Sequence, residues 1–129
     1  MNIKWIITFT LGALAVGIGA FGAHALNKYM DDYSKGIFET GSKYHFYHVL
    51  FMIAILIIAS WQNTKYPNSL NYAWICSLAG IILFSGSLYL LATKELHAIP
   101  TKILGPITPL GGLFFIVAWI LMIVFFLRK

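Results

Sequence analysis

The sequence predicts an all-α integral membrane protein: a four-transmembrane-helix bundle with a short amphipathic segment between helices 1 and 2. Composition is the first observation. Of 129 residues, 60% are hydrophobic and only 10% are charged, against about 25% charged in a soluble domain. A soluble chain this short buries too small a fraction of its surface to hide so much apolar area. The second observation is the spacing of the charges, which leave four uncharged runs: Trp5–Asn27, Tyr44–Thr64, Tyr66–Thr93 and Ile103–Leu127. Each exceeds the roughly 18–20 residues that cross hydrocarbon as a helix. In lipid the backbone must pair within its own segment, which forces helix. The third is an aromatic belt at span ends: Trp5, Trp61, Tyr66, Tyr72 and Trp74.

Trimming polar and proline-rich ends places the spans near Trp5–His24, Tyr44–Trp61, Tyr72–Thr93 and Pro109–Phe126, in a single domain covering residues 1–129. Span one follows Lys4 and ends on Ala23-His24-Ala25, which resembles a signal-peptide cleavage site. Its apolar run is longer than a signal core of about 7–15 residues, so a retained span is expected. Small residues mark its close-packing face: Gly12, Ala15, Gly19, Gly22 and Ala23. Such a stripe lets a neighbouring helix approach where van der Waals packing replaces the missing hydrophobic drive. Packing within the chain is favoured over an oligomer seam, and Gly19→Leu is expected to disrupt it. Gly86 in span three and Gly111-Gly112 in span four are the other expected contact points.

Between spans one and two, Met30, Tyr33, Ile37 and Phe38 fall at helical spacing among lysines and carboxylates. This predicts a short amphipathic helix in the interface. Pro100, Pro106 and Pro109 predict an ordered loop before span four.

Four crossings put both termini on one side with the second connection. That terminal side holds Lys4, Lys65, Arg128 and Lys129 and no acid. The loop side holds Lys28, Lys35, Lys43, Lys94 and Lys102, together with Asp31, Asp32, Glu39 and Glu95. The histidines His24, His45, His48 and His97 lie there or at its membrane edge. Lysine and arginine set orientation. The purely cationic terminal side predicts cytoplasmic termini in a multi-pass protein of the cytoplasmic membrane. The net charge of +5 is scattered, whereas a nucleic-acid binder needs a clustered basic face.

His45 and His48 sit three apart on one helical turn. With His24 they could hold a metal or haem, yet no HExxH or paired CxxC accompanies them. No metal or cofactor is therefore expected. The favoured reading is a hydrogen-bonded site joining His24, Glu39, Tyr44 and His48. The lone Cys76 reads as a buried small hydrophobe. The match of Gly17 to Gly22 with GxGxxG lies inside a span, without the strand-to-helix context that binds a dinucleotide. Ser85-Gly86-Ser87 is not a nucleophile elbow. Ser85, Ser87 and Tyr89 are expected to hydrogen-bond between helices.

Several motifs resemble a known family. Gly19-Ala20-Phe21-Gly22-Ala23-His24-Ala25-Leu26 is similar to the signature of the small membrane proteins called domain of unknown function 423. Glu39-Thr40-Gly41 with Tyr44 and His48 follows in order. Next come the run from Leu83 to Tyr89 and Thr108-Pro109-Leu110-Gly111-Gly112. Ala118 stands where the family pattern has glycine. His45 stands where another polar residue is common, which directs a shared role to His24 and His48. The resemblance implies a four-span protein of bacterial cytoplasmic membranes and supplies no activity.

The residues favour a non-enzymatic structural or accessory component of a membrane complex. Its partners would be the lipid bilayer and other membrane proteins or further copies of itself. One alternative is a small oligomeric transporter or channel, with Ser85, Ser87, Tyr89 and Thr108 as lining candidates. The other is a metal- or haem-binding redox protein using His24, His45 and His48.

Overall fold

The computed structural model describes residues 2–62 and 67–129. Four helices in it are long and apolar enough to cross a bilayer: α1 (Asn2–His24), α2 (Asp32–Ser60), α3 (Asn68–Ala92) and α4 (Thr101–Leu127). Short 3₁₀ turns, Asn27–Tyr29 and Lys94–Leu96, follow α1 and α3. Lys65 and Tyr66, expected on the terminal side and in the aromatic belt, lie outside the described residues.

Cross-helix contacts fix the order. Gly12 lies against Val49, Gly19 against Ser42 and Gly22 against Phe38, so α1 and α2 run antiparallel. Gly80 meets Phe115, Gly111 meets Phe84 and Ser87 bonds Thr108, so α3 and α4 do too. Thr8 bonds Trp74, in the parallel pair α1 and α3. His48 and Phe51 stack on Phe115 and Trp119 respectively, in the parallel pair α2 and α4. The result is an up–down–up–down bundle. Its centre is filled by Met52, Ile55, Leu56 and Leu70, all fully buried. A smaller cluster of Met30, Phe38 and Ala92 closes the loop-side end.

Two helices begin earlier than charge and proline suggest. The expected amphipathic segment is helical, but it forms the first turns of α2 and is continuous with the span. Asp31 starts it. Its backbone is extended and its carboxylate accepts the Ser34 N–H at 2.7 Å, an N-cap. Asp32 then places a second negative charge in the first turn, where the helix dipole favours it. Likewise, the expected loop before span four is helix from Thr101. Pro100 sits at the N-cap with extended backbone, and Pro106 and Pro109 lie inside α4. Their missing N–H groups fall in the first third of the helix.

The Asp31 cap carries a pH signature. The Ser34 backbone N–H, then its side chain, hold the Asp31 carboxyl below the usual aspartate range, with smaller help from Lys94 and Lys35. A lowered folded value favours folding fully above the ordinary aspartate range. The contribution is lost as pH falls through the folded value. Amide exchange protection at Ser34 is expected to drop as pH falls below about 4, and Asp31→Ala to remove it at neutral pH. Constant protection at Ser34 in both experiments would contradict the cap.

Span one meets α2 through part of its small-residue stripe. Ala15 and Gly22 are buried, and a Cβ on Gly12 or Gly19 would sit 3.3 Å from Val49 or from the Ser42 hydroxyl. A Cβ on Gly22 would enter the Phe38 ring. Ala23 is exposed instead. In the other spans the choice of glycines differs. Gly86 has only the Ile81 carbonyl near it, at 4.0 Å, and Gly112 makes ordinary contact with Phe84. The tight positions are Gly111, Gly80 and Gly41. A π-helical turn, Ile81–Ser85, lies between Gly80 and Gly86. It brings the Phe84 backbone so close to Gly111 that a Cβ there would stand 2.7 Å from Phe84 Cα. Ala118, at the position of the family's glycine, is fully buried, so its methyl fits.

Near the terminal side, Trp74 Nε1 donates to Thr8 Oγ1 at 3.0 Å, and Thr8 donates to the Lys4 carbonyl at 2.8 Å. Lys4 Nζ bonds Asn71 Oδ1 and lies over the Trp74 ring. Thr8→Val keeps the shape but leaves the buried indole N–H without its acceptor. It is expected to cost about 1 kcal/mol, within the range of interhelical hydrogen bonds in membranes. Unfolding in mixed micelles would show this, and Thr8→Ser should retain most of the stability. Wild-type stability in Thr8→Val would contradict the assignment.

Candidate functional site

His48 stands halfway through the bundle, not at its mouth. Its ring stacks on Phe115, with centroids 3.5 Å apart and planes 11° from parallel. Phe115 lies at the middle of α4 and opposite Gly80, the middle of α3. His48 Nδ1 pairs with the Tyr44 carbonyl one turn earlier at 2.8 Å. Nε2 accepts from Trp119 Nε1 at 3.3 Å. A carbonyl can only accept, so Nδ1 carries the proton and Nε2 is free to take the indole N–H. The ring is therefore neutral with both nitrogens used, although it is only 5% exposed.

These contacts shape one wall of a side-opening groove of about 470 Å³ between α2, α3 and α4. Tyr44, Phe84, Pro109, Gly112, Phe115 and Trp119 line it. Trp119 also stacks on Phe51 at 4.0 Å. Because its N–H is spent on His48, Trp119 offers the groove an apolar face.

The four residues expected to share a hydrogen-bonded site are therefore split. Tyr44 and His48 are brought together, through a backbone carbonyl and ring stacking. Glu39 pairs with Lys43 at 3.1 Å on the exposed side of α2. It also lines a second, loop-side cavity of about 240 Å³ with Gly19, Gly22, Asn27, Lys35 and Ser42. His24 is exposed at the end of α1. His97 turns back on its own connection, with Nε2 2.6 Å from the Leu90 carbonyl and Nδ1 accepting the Ile99 N–H.

Sequence reasoning passed over the pair His45 and Tyr89. His45 is 3% exposed, and its Nδ1 lies 2.9 Å from the Tyr89 hydroxyl. The Ser42 side chain lies near the same hydroxyl. The signal was available: His45 and Ser42 share a face of α2 at helical spacing. Trp119 was also missed, having no polar neighbour in sequence. Among the described residues, no group of three His, Cys, Asp or Glu side chains is arranged to hold a metal ion.

A family profile described as protein of unknown function (DUF423) matches residues 18–112. The chain belongs to this family. It is 42% identical to the UPF0382 membrane protein YwdK of Bacillus subtilis strain 168 over 111 residues, covering 86% of this chain and 85% of the relative. It is 43% identical to the UPF0382 membrane protein SAB0533 of Staphylococcus aureus over 121 residues, 93% of this chain and 92% of the relative. No solved structure matches the chain. The DUF423 chain is thus a multi-pass membrane protein of a family without a named activity. The DUF423 match takes in both histidine pairs' α2 residues, the π turn and Gly111, and it ends before Phe115 and Trp119.

Proposed function

We propose that this DUF423 protein is a non-enzymatic accessory component of a membrane assembly. The supporting observation is how its interior polar side chains are used. Four pairs of them join neighbouring helices, while Ser77 bonds the Ala73 carbonyl of its own helix. Trp74 to Thr8 joins α3 to α1, and His45 to Tyr89 joins α2 to α3. Trp119 to His48 joins α4 to α2, and Ser87 to Thr108 joins α3 to α4 at 2.5 Å. These bonds are spread over the depth of the bundle, as rivets between helices would be. A catalytic set would instead aim several groups at one reacting atom.

The outer surface supports the same reading. α1 turns Ile3, Ile6, Phe9, Val16 and Phe21 outward, an apolar face suited to lipid or to other membrane helices. In this reading the membrane is the cytoplasmic one and the termini are cytoplasmic. Lys4, Arg128 and Lys129 favour that orientation, because short cationic segments stay inside.

Photo-crosslinking from position 16 in native membranes, followed by purification in native lipid, tests the proposal. The expected product is a reproducible, stoichiometric adduct with one membrane protein. Crosslinks to lipid alone, on a chain that purifies as an isolated monomer, would overturn it.

A further inference from the structure

Among the described residues, two buried side-chain polar atoms have no hydrogen-bond partner: His45 Nε2 and Ser85 Oγ. Both belong to the surface where α2 meets α3. Gly41, one turn before His45, packs on the Ser85 carbonyl, and Tyr89, one turn after Ser85, holds His45 Nδ1. From α1, the Leu11 carbonyl faces the His45 ring outside hydrogen-bond geometry. Ser85 is the last residue of the π turn, a break in regular pairing of the kind found at functional positions. In hydrocarbon no solvent reaches such atoms from the side, so a bound partner must satisfy them.

The neighbouring groups indicate where that partner enters. Ser42 lies near the Tyr89 hydroxyl and also lines the loop-side cavity. Lys35, Glu39 and Asn27 make that cavity polar. Ser42, three residues before His45 on the same face of α2, therefore places a hydroxyl between the loop-side cavity and the His45–Tyr89 pair. The charged groups facing this path are Lys35 and Glu39 at its mouth, with Lys43 paired to Glu39. α3 contributes the Tyr89 phenol and the Ser85 hydroxyl, and α1 the Leu11 carbonyl.

We propose that the seam around His45 and Ser85 is an internal water-binding site filled from the loop-side cavity past Ser42. Water is the ligand the chemistry selects. It both donates and accepts, it is small enough for a closed seam, and it meets a ring N–H and a hydroxyl equally well. The site makes His45 a hydrated imidazole inside the membrane. His48, one turn away, is dry because Tyr44 and Trp119 occupy both of its nitrogens. This holds whether or not the protein is an accessory subunit.

The test uses the full chain with ¹⁵N-labelled histidine in phospholipid nanodiscs, and reads magnetisation transfer from water to each imidazole. His45 and His48 signals are assigned with His45→Gln and His48→Gln. Transfer to His45 is expected to exceed transfer to His48 at least fivefold. Ser42→Leu, which plugs the mouth, should at least halve the His45 signal and leave His48 unchanged. Equal transfer to the two wild-type rings would overturn the site. An unchanged His45 signal in a folded Ser42→Leu protein would overturn the loop-side route.

Discussion

Gly111→Ala is expected to destabilise the bundle by about 1–3 kcal/mol or more, the range for forcing extra atoms into a packed interior. The added methyl would stand 2.7 Å from Phe84 Cα, against backbone. A side chain could rotate away, but backbone in the π turn cannot move without shifting α3. The opposing gain is helix propensity, which favours alanine over glycine by about 1 kcal/mol at most. The clash therefore decides the sign. Gly86→Ala, with only a carbonyl at 4.0 Å, should be neutral or slightly stabilising. Unfolding in mixed micelles separates the two, and equal stability of the two variants would contradict the packing.

The second large effect centres on Phe115. Phe115→Ala is expected to cost about 3 kcal/mol, the low end for removing a buried phenylalanine. It vacates the space against Gly80 and the stack with His48. The low end applies because the helices remain in lipid when they separate, so lost contacts outweigh lost transfer energy. Gly80→Ala should itself cost about 1–3 kcal/mol, since its methyl would enter the Phe115 ring. In a Phe115→Ala background that cost should vanish. The cycle is expected to show at least about 1 kcal/mol of coupling. Strictly additive effects would mean that Gly80 and Phe115 do not touch.

The four crossings were legible because hydrophobic length is a strong signal and lipid leaves few backbone solutions. Where helices start was harder to read. Charge at Asp32–Lys43 and proline at Pro106 and Pro109 resemble loop. The Asp31 cap and the Pro100 N-cap override them locally. Small residues on α1 pointed to real contacts because that helix is regular. On α3 the π turn adds a residue and rotates everything after it by about 100°. The π turn also presses the Phe84 backbone onto Gly111, a contact that periodicity alone does not show. The histidines illustrate the same limit. Three residues apart, His45 turns to α1 and α3, while His48 turns to α4. Sequence placed both on one turn but did not reveal that neighbouring directions meet different partners.

Four crossings leave both termini on one side of the membrane. Single cysteines at Lys28, Glu95 and Arg128, in a Cys76→Ser background, test this with an impermeant thiol reagent on intact and on inverted membranes. Lys28→Cys and Glu95→Cys should label from one face and Arg128→Cys from the other. Labelling of Glu95→Cys and Arg128→Cys from the same face would contradict the account.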